Sequence, residues 1–334
     1  MTGLFVNLLR AIDKVVGNYG WSIVVFTLLI RLILLPLDIK STTSMRAMTM
    51  IQPKVQALQK KYANDKDKLN QKTMELYRKE HVSPTAGCLP MLISLPILWI
   101  MFSAMRTLGN EQTIQMLLNM KETGALPTLQ GWLWIKNVFQ PDSFMATILP
   151  AVGSTLRTIQ PSSASAVLTA ENIAAATEYL NSTAYSQLAS TLAPASAFSV
   201  QPLNFLFINT VLTIPNSFAN LIKYGNGLFI LPLLAGGSQF VMTKIMNGKQ
   251  TPEQKEMQQA QQADQTNPMN SPVMKWFFPL FSVWICATSN AAFSIYWMAA
   301  NVIQIVQQLA VNWYFERQDE KAAAAAALET TDDL

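Results

Sequence analysis

The sequence predicts an all-α integral membrane protein with five transmembrane helices around a hydrophilic groove. Three observations predict it. Of 334 residues, 50% are hydrophobic and only 13% charged, where a soluble domain of this length carries about 25% charge. Five apolar stretches approach the roughly 20 residues that a helical span needs. Basic residues crowd between the first two stretches, as they do in cytoplasmic loops. The same composition excludes a disordered chain, which needs low hydrophobicity. The net charge of +4 is too small an excess for a nucleic-acid binder. Cys88 and Cys286 stand alone in apolar runs, and His81 is the single histidine. That leaves no disulfide framework, no metal site and no Ser-His-Asp or Cys-His centre. Neither an enzyme nor a cofactor is expected.

Residues 1–20 read as an amphipathic helix lying in the membrane interface. Leu4, Phe5, Leu8, Leu9, Ile12, Val15 and Val16 share one face, and Arg10, Asp13 and Lys14 lie mostly opposite. The segment lacks the pattern of a secretory signal. Gly17 and Gly20 favour a bend before the first span, 21–37 (WSIVVFTLLIRLILLPL). Residues 38–87 form a cytoplasmic segment. In it Met48, Ile51, Val55, Leu58 and Tyr62 keep helical spacing, break at Ala63-Asn64-Asp65, and resume at Leu69, Thr73 and Leu76. This pattern predicts a helical hairpin over 45–80. Two readings fit it, a solvated spacer and a mobile arm that handles a client or the membrane surface.

The second span is 88–106, followed by an external segment, 107–225. Its part 143–225 is rich in Ala, Ser and Thr and reads as an insertion, with helix expected over 166–193. The apolar piece 203–215 is too short to span and stops at Pro215. It is expected at the interface or packed within the external segment. The third span is 226–246, and the polar, Gln-rich stretch 247–272 is a cytoplasmic loop. One apolar run from Met274 to Tyr314 holds 41 residues. As a single helix it would extend about 60 Å, twice the roughly 30 Å hydrocarbon core. It therefore folds back at Ser289-Asn290, giving spans at 273–289 and 291–314. The tail, 315–334, is acidic, with net charge −4 over residues 316–334.

Orientation follows from Lys and Arg placement. Residues 38–87 hold ten and the much longer 106–225 holds five. Basic loops stay inside, so the N-terminus is outside and the C-terminus inside.

Arg31 is the most informative residue. A charge at the centre of a span costs about 2.5–3.5 kcal/mol on insertion scales, and such residues usually face a protein interior or a water-filled cavity. Snorkelling to the inner surface is the competing reading. Thr27 lies four residues earlier on the same helix face. No Asp or Glu occurs in the five stretches, so no carboxylate partner is expected in the membrane. Gln239, Asn301 and Gln304 are further polar groups within spans, and Trp297 is a candidate side wall. Each alone is more often a helix–helix hydrogen bond. Together with Arg31 they favour a wet groove.

Taken in order, Arg31 within LLIRLILLPL, GCLPMLISLPILWIMF (87–102), LPLLAGGSQF (231–240) and SIYWMAANVIQIVQQ (294–308) resemble the YidC membrane protein insertases. The charged hairpin after the first span matches too. The resemblance covers about residues 1–142 and 226–314, and looks like the five-span, Gram-positive-type form. It implies an insertase and chaperone of the bacterial plasma membrane that works without nucleotide hydrolysis. The groove arginine of the family corresponds to Arg31, its threonine to Thr27, its polar third-span position to Gln239 and its fifth-span aromatic to Trp297. It implies newly made membrane proteins as clients, the lipid bilayer as the receiving phase, the Sec translocon as a candidate partner, and a monomer as the working form. The 143–225 insertion has no counterpart in compact members. The acidic tail argues against ribosome docking through it, given the polyanionic RNA surface. A small anion transporter or channel is the alternative, since it too can use a membrane arginine.

Overall fold

The computed structural model describes residues 2–81, 89–151, 156, 159–162, 165–205, 208–246 and 272–332. The loop expected at 247–272 lies outside the described residues except for Pro272, and so does Cys88. The architecture is mostly helical. Helix α1 spans Thr2–Val16, α2 Tyr19–Lys61, α3 Lys66–Lys79 and α4 Leu89–Thr123. After these come α5 (Ala170–Leu180), α6 (Thr183–Leu192), strands β1 (Phe198–Phe205) and β2 (Ile208–Pro215), and α7 (Phe218–Tyr224). The chain then forms α8 (Ile230–Met246), α9 (Pro272–Thr288) and α10 (Ala291–Asp332).

Gly17 ends α1. Its φ of 72° is the left-handed conformation that glycine adopts without a steric cost, and its amide donates to the Asp13 carbonyl at 2.8 Å. Helix α2 then runs 43 residues without a break, through Pro36 and Pro53. The first apolar stretch and the first arm of the expected hairpin are thus one helix of about 65 Å, with no junction at residue 38. It stops before Asp65, whose side chain accepts from the Lys68 amide at 3.0 Å and caps α3. Helices α4 and α10 likewise continue well past 106 and 314, so part of the acidic tail belongs to the same helix as the last apolar stretch.

The all-α expectation needs one correction. Strands β1 and β2 pair antiparallel, from Phe198↔Pro215 to Phe205↔Ile208. Residues 203–215, expected as an interfacial or packed apolar piece, are therefore largely strand. The stretch holds Ile208, Thr210, Val211, Thr213 and Ile214, and β-branched residues favour a pleated, half-buried surface over a helix.

The chain forms two compact units. One comprises residues 1–28 and 101–306. Its core joins Ile114, Leu117 and Met120 of α4 to Leu149, Leu156, Ile159 and Leu168, and to Ala176, Tyr179, Leu180 and Tyr185. The segment after residue 143 is therefore a small packed module built on α4 rather than an open loop. Tyr185 is buried there and donates to the Pro150 carbonyl at 2.5 Å; burial pushes its phenol pKa up. On α1, Arg10 pairs with the buried Glu111 of α4, and Phe5 meets Phe26 edge-on at 5.9 Å.

Helices α8 and α9 meet at Gly236, where an added Cβ would come within 2.4 Å of Val283 Cγ2. Small residues allow this kind of close helix approach. The α9–α10 turn at Ser289-Asn290 is pinned from three sides. Asn290 Nδ2 donates to the Met105 carbonyl at 3.2 Å. The amides of Ala291 and Ala292 donate to the carbonyls of Gln140 (2.9 Å) and Val138 (2.8 Å). Asp142, fully buried, holds the start of α8. Its carboxylate accepts from the Phe229 amide at 3.0 Å, the Leu231 amide at 2.7 Å and the Trp134 indole at 3.3 Å.

The other unit comprises residues 29–100 and 307–334. Ile51 and Val55 are buried on the continued α2. Tyr62, Leu69, Thr73 and Leu76 form a half-buried stripe. The arms are tied by Lys54 Nζ and Glu80 Oε1 at 2.6 Å. The hydrogen bond from Lys54 holds the Glu80 carboxyl below its ordinary range. A carboxyl depressed in the folded state contributes stability above its unfolded pKa and loses it as pH falls through the folded one. The tie is therefore expected to persist through the ordinary carboxylate range and to loosen only below it. Spin labels at Ala57 and Gln71 should show a broader distance distribution in that acid window, and Glu80→Gln should show the same breadth at neutral pH. An unchanged distribution in both cases would remove the role of the tie.

Candidate functional site

Among the described residues, one helix is long and apolar enough to cross a membrane, Tyr19–Ser44, and it carries both Thr27 and Arg31. Ile230–Ile245 and Trp276–Thr288 are apolar but shorter. Thr27 is buried, and its hydroxyl donates to the Ile23 carbonyl one turn earlier at 2.6 Å. That bond uses its only proton and leaves the oxygen free to act as an acceptor.

The Arg31 side chain is 19% exposed and lies 4.0 Å from Asp38 Oδ2. This corrects the expectation that no carboxylate is available to it. Because α2 continues past residue 37, Asp38 falls seven residues on, two turns along the same face. The contact is loose, since Asp38 Oδ2 is buried without a hydrogen-bond donor among the described residues. An ion pair at this separation contributes little to stability. Arg31 stands to Asp38 as a charge nearby, not as a two-pronged clamp.

In the unit that holds residues 101–306, Asn301 is 7% exposed. Its Nδ2 donates to Ser238 Oγ at 3.0 Å, with the Ala235 carbonyl at 3.5 Å. The Trp297 ring packs on Phe293 at 5.5 Å, while its buried indole N–H has no acceptor among the described residues. Gln239 and Gln304 are half-buried, and the Gln239 carbonyl accepts from Thr243 Oγ1 at 2.9 Å. The structure thus joins Asn301 to the small-residue stretch of α8, and sequence reasoning missed Ser238 as its partner. It missed Asp38 as well, although the seven-residue spacing from Arg31 carried that signal.

The model of the family described as "60Kd inner membrane protein" matches residues 11–208 and 182–319. This chain belongs to the YidC family of 60Kd inner membrane proteins. Membership places it in the bacterial plasma membrane. Among its relatives is the membrane protein insertase YidC of Fusobacterium nucleatum subsp. nucleatum, 40% identical over 153 residues, 46% of this chain and 65% of that protein. The insertase of Caldanaerobacter subterraneus subsp. tengcongensis is 50% identical over 101 residues, 30% of this chain and 49% of that protein. Membrane protein insertase YidC 1 of Halalkalibacterium halodurans is 41% identical over 141 residues, 40% and 54% of the two chains. The chain spans from 49% to 65% of the length of these YidC relatives.

Proposed function

We propose that this chain is a membrane protein insertase and chaperone, which receives hydrophobic clients in a hydrophilic groove and releases them into the bilayer without nucleotide hydrolysis. The observation that carries this reading is Arg31, a cation within an apolar helix long enough to cross the membrane. The relatives that carry the name membrane protein insertase YidC support it.

A client's polar tail must cross about 30 Å of hydrocarbon. A wet groove part-way across shortens that barrier, and Arg31 attracts acidic residues on the tail. Thr27, Gln239, Asn301 and Gln304 are proposed to keep the groove wet, with Trp297 as a side wall. The client's own apolar helix supplies the driving force as it enters lipid. In this reading five helices span the membrane, at 21–37, 88–106, 226–246, 273–289 and 291–314, with the N-terminus outside. The hairpin and the acidic tail are inside, and the 143–225 module is outside. Newly made membrane proteins are the clients, with the Sec translocon as a candidate partner and a monomer as the working form.

Depletion of the resident insertase with complementation by this chain tests the function, scored on insertion of a short single-span client. Rescue is expected, and an anion transporter would fail. Topology is tested by membrane-impermeant thiol labelling of cysteines at Ala57 and Ser190. Ser190 should label from outside and Ala57 only after the cells are opened. External labelling at Ala57 would overturn the orientation.

A further inference from the structure

We infer that α7, with the neighbouring Phe144-Met145 pair, docks into the headgroup region of the outer leaflet and anchors the external module on the bilayer surface. The inference rests on the reading that α8 crosses the membrane. Three features of the structure carry it.

The first is proximity to the start of α8, which the proposed topology puts at the outer face of the membrane. The α7 helix ends at Tyr224, and α8 begins at Ile230. The residues directly before α8, Leu228 and Phe229, are apolar. In that topology α7 therefore lies close to the outer end of the span, at headgroup depth.

The second feature is the face that α7 presents. Phe218 is 72% exposed and Ile222 54%; spaced by four, they lie one above the other on one side of the helix. Phe144 and Met145 are partly exposed, and the Phe144 ring meets Phe229 at 5.6 Å. Leu228, Leu233 and Leu234, before and within α8, are exposed as well. Lys223 lies beside it, its ammonium 5.1 Å from the Tyr224 ring centre. Apolar groups rimmed by Lys and Tyr suit an interface that is oily on one side and wet on the other.

The third feature is rigidity. Lys136 Nζ donates to the carbonyls of Ile222 (2.7 Å) and Lys223 (2.6 Å), satisfying the end of α7 from within the module. The Asn226 amide donates to the Ala146 carbonyl at 3.1 Å. Asn226 Nδ2 also reaches the carbonyls of Asn137 (3.0 Å) and Pro141 (2.9 Å). The apolar pair is therefore held outward by a fixed frame, so binding needs little additional ordering of the chain.

Single spin labels test this in the full chain, freed of Cys88 and Cys286 by alanine substitution and reconstituted in equimolar phosphatidylethanolamine–phosphatidylglycerol vesicles. Labels replace Phe218, Ile222, Leu233 or Ser190, and each is read by its relative accessibility to oxygen and to a water-soluble nickel chelate. At Phe218 and Ile222 the oxygen-to-nickel ratio should shift from the aqueous value of Ser190 toward the lipid value of Leu233. An aqueous ratio at both, with Leu233 in lipid, overturns the anchor and leaves the span intact. An aqueous Leu233 overturns the span reading and the anchor with it. Labels shielded from both reagents, with spin–spin broadening that vanishes on dilution with unlabelled protein, assign the face to a second copy and also overturn the proposal.

Discussion

Arg31→Ala is expected to abolish insertion of clients with acidic external tails while leaving the protein's abundance nearly normal. The charge sits part-way along an apolar helix and has Asp38 at 4.0 Å. Removing it takes away the attraction for an acidic tail and also leaves the Asp38 carboxylate without that cation. A double variant, Arg31→Ala with Asp38→Asn, separates the two effects. If it inserts clients normally, Arg31 serves only to neutralise Asp38 and the proposed groove mechanism falls. Arg31→Lys should retain much of the activity, because a point charge in a wet cavity needs no planar fork. If lysine fails as completely as alanine, the guanidinium is making a directional contact and attraction by charge is the wrong account. Client insertion and protein level, measured in the same depletion strain, decide among these outcomes.

Asp142→Ala is expected to give the largest loss of stability. The carboxylate is fully buried and accepts from two amides at the start of α8 and from the Trp134 indole. Hydrogen bonds to a charged group contribute about 1.5–3 kcal/mol each, and donors stranded by removing the acceptor add their desolvation. Because the three bonds act as one network, their contributions do not simply add. A loss of roughly 3–5 kcal/mol follows, because charge-assisted bonds are lost and buried N–H donors are left without their acceptor. The site also holds Phe229 at φ 63°, a left-handed conformation that costs a bulky residue energy. Gly227→Ala should approach the same loss, since a Cβ there would lie 2.0 Å from Asp142 Oδ1. Asp142→Asn keeps one carbonyl acceptor and should lose about half as much. Thermal unfolding in detergent measures all three. A midpoint for Asp142→Ala indistinguishable from the parent would remove the residue from this role.

The parts of this architecture that could be read from the sequence are those set by neighbours in the chain. The break at Ala63-Asn64-Asp65 and the reversal at Ser289-Asn290 follow from local polarity within apolar or periodic runs, and the helices stop there. The identity of the polar residues inside apolar stretches was equally visible. Their partners were not, because they depend on distant pairing. Asn301 bonds to Ser238 from 63 positions away, and Asp142 reaches Leu231 across 89. The β1–β2 hairpin escaped because its apolar content suggested membrane, while the β-branched residues that decide its backbone were outweighed by length and hydropathy. Asp38 escaped because it falls one residue beyond the first apolar stretch, outside the residues weighed as partners of Arg31.

The pinning of the α9–α10 turn has a consequence for biogenesis. Met105, Val138 and Gln140, which grip it, are synthesised long before Asn290 leaves the ribosome. Asp142, which receives the start of α8, is also made first. Chains generally fold N-terminal part first during synthesis. The stretch from residue 105 to 142 therefore works as a template, finished while the later helices are still being translated. Helix α8 and the α9–α10 pair enter a socket already shaped for their ends, and do not have to find one another unaided. The chain thus assembles its own last helices on a scaffold that its earlier segments provide.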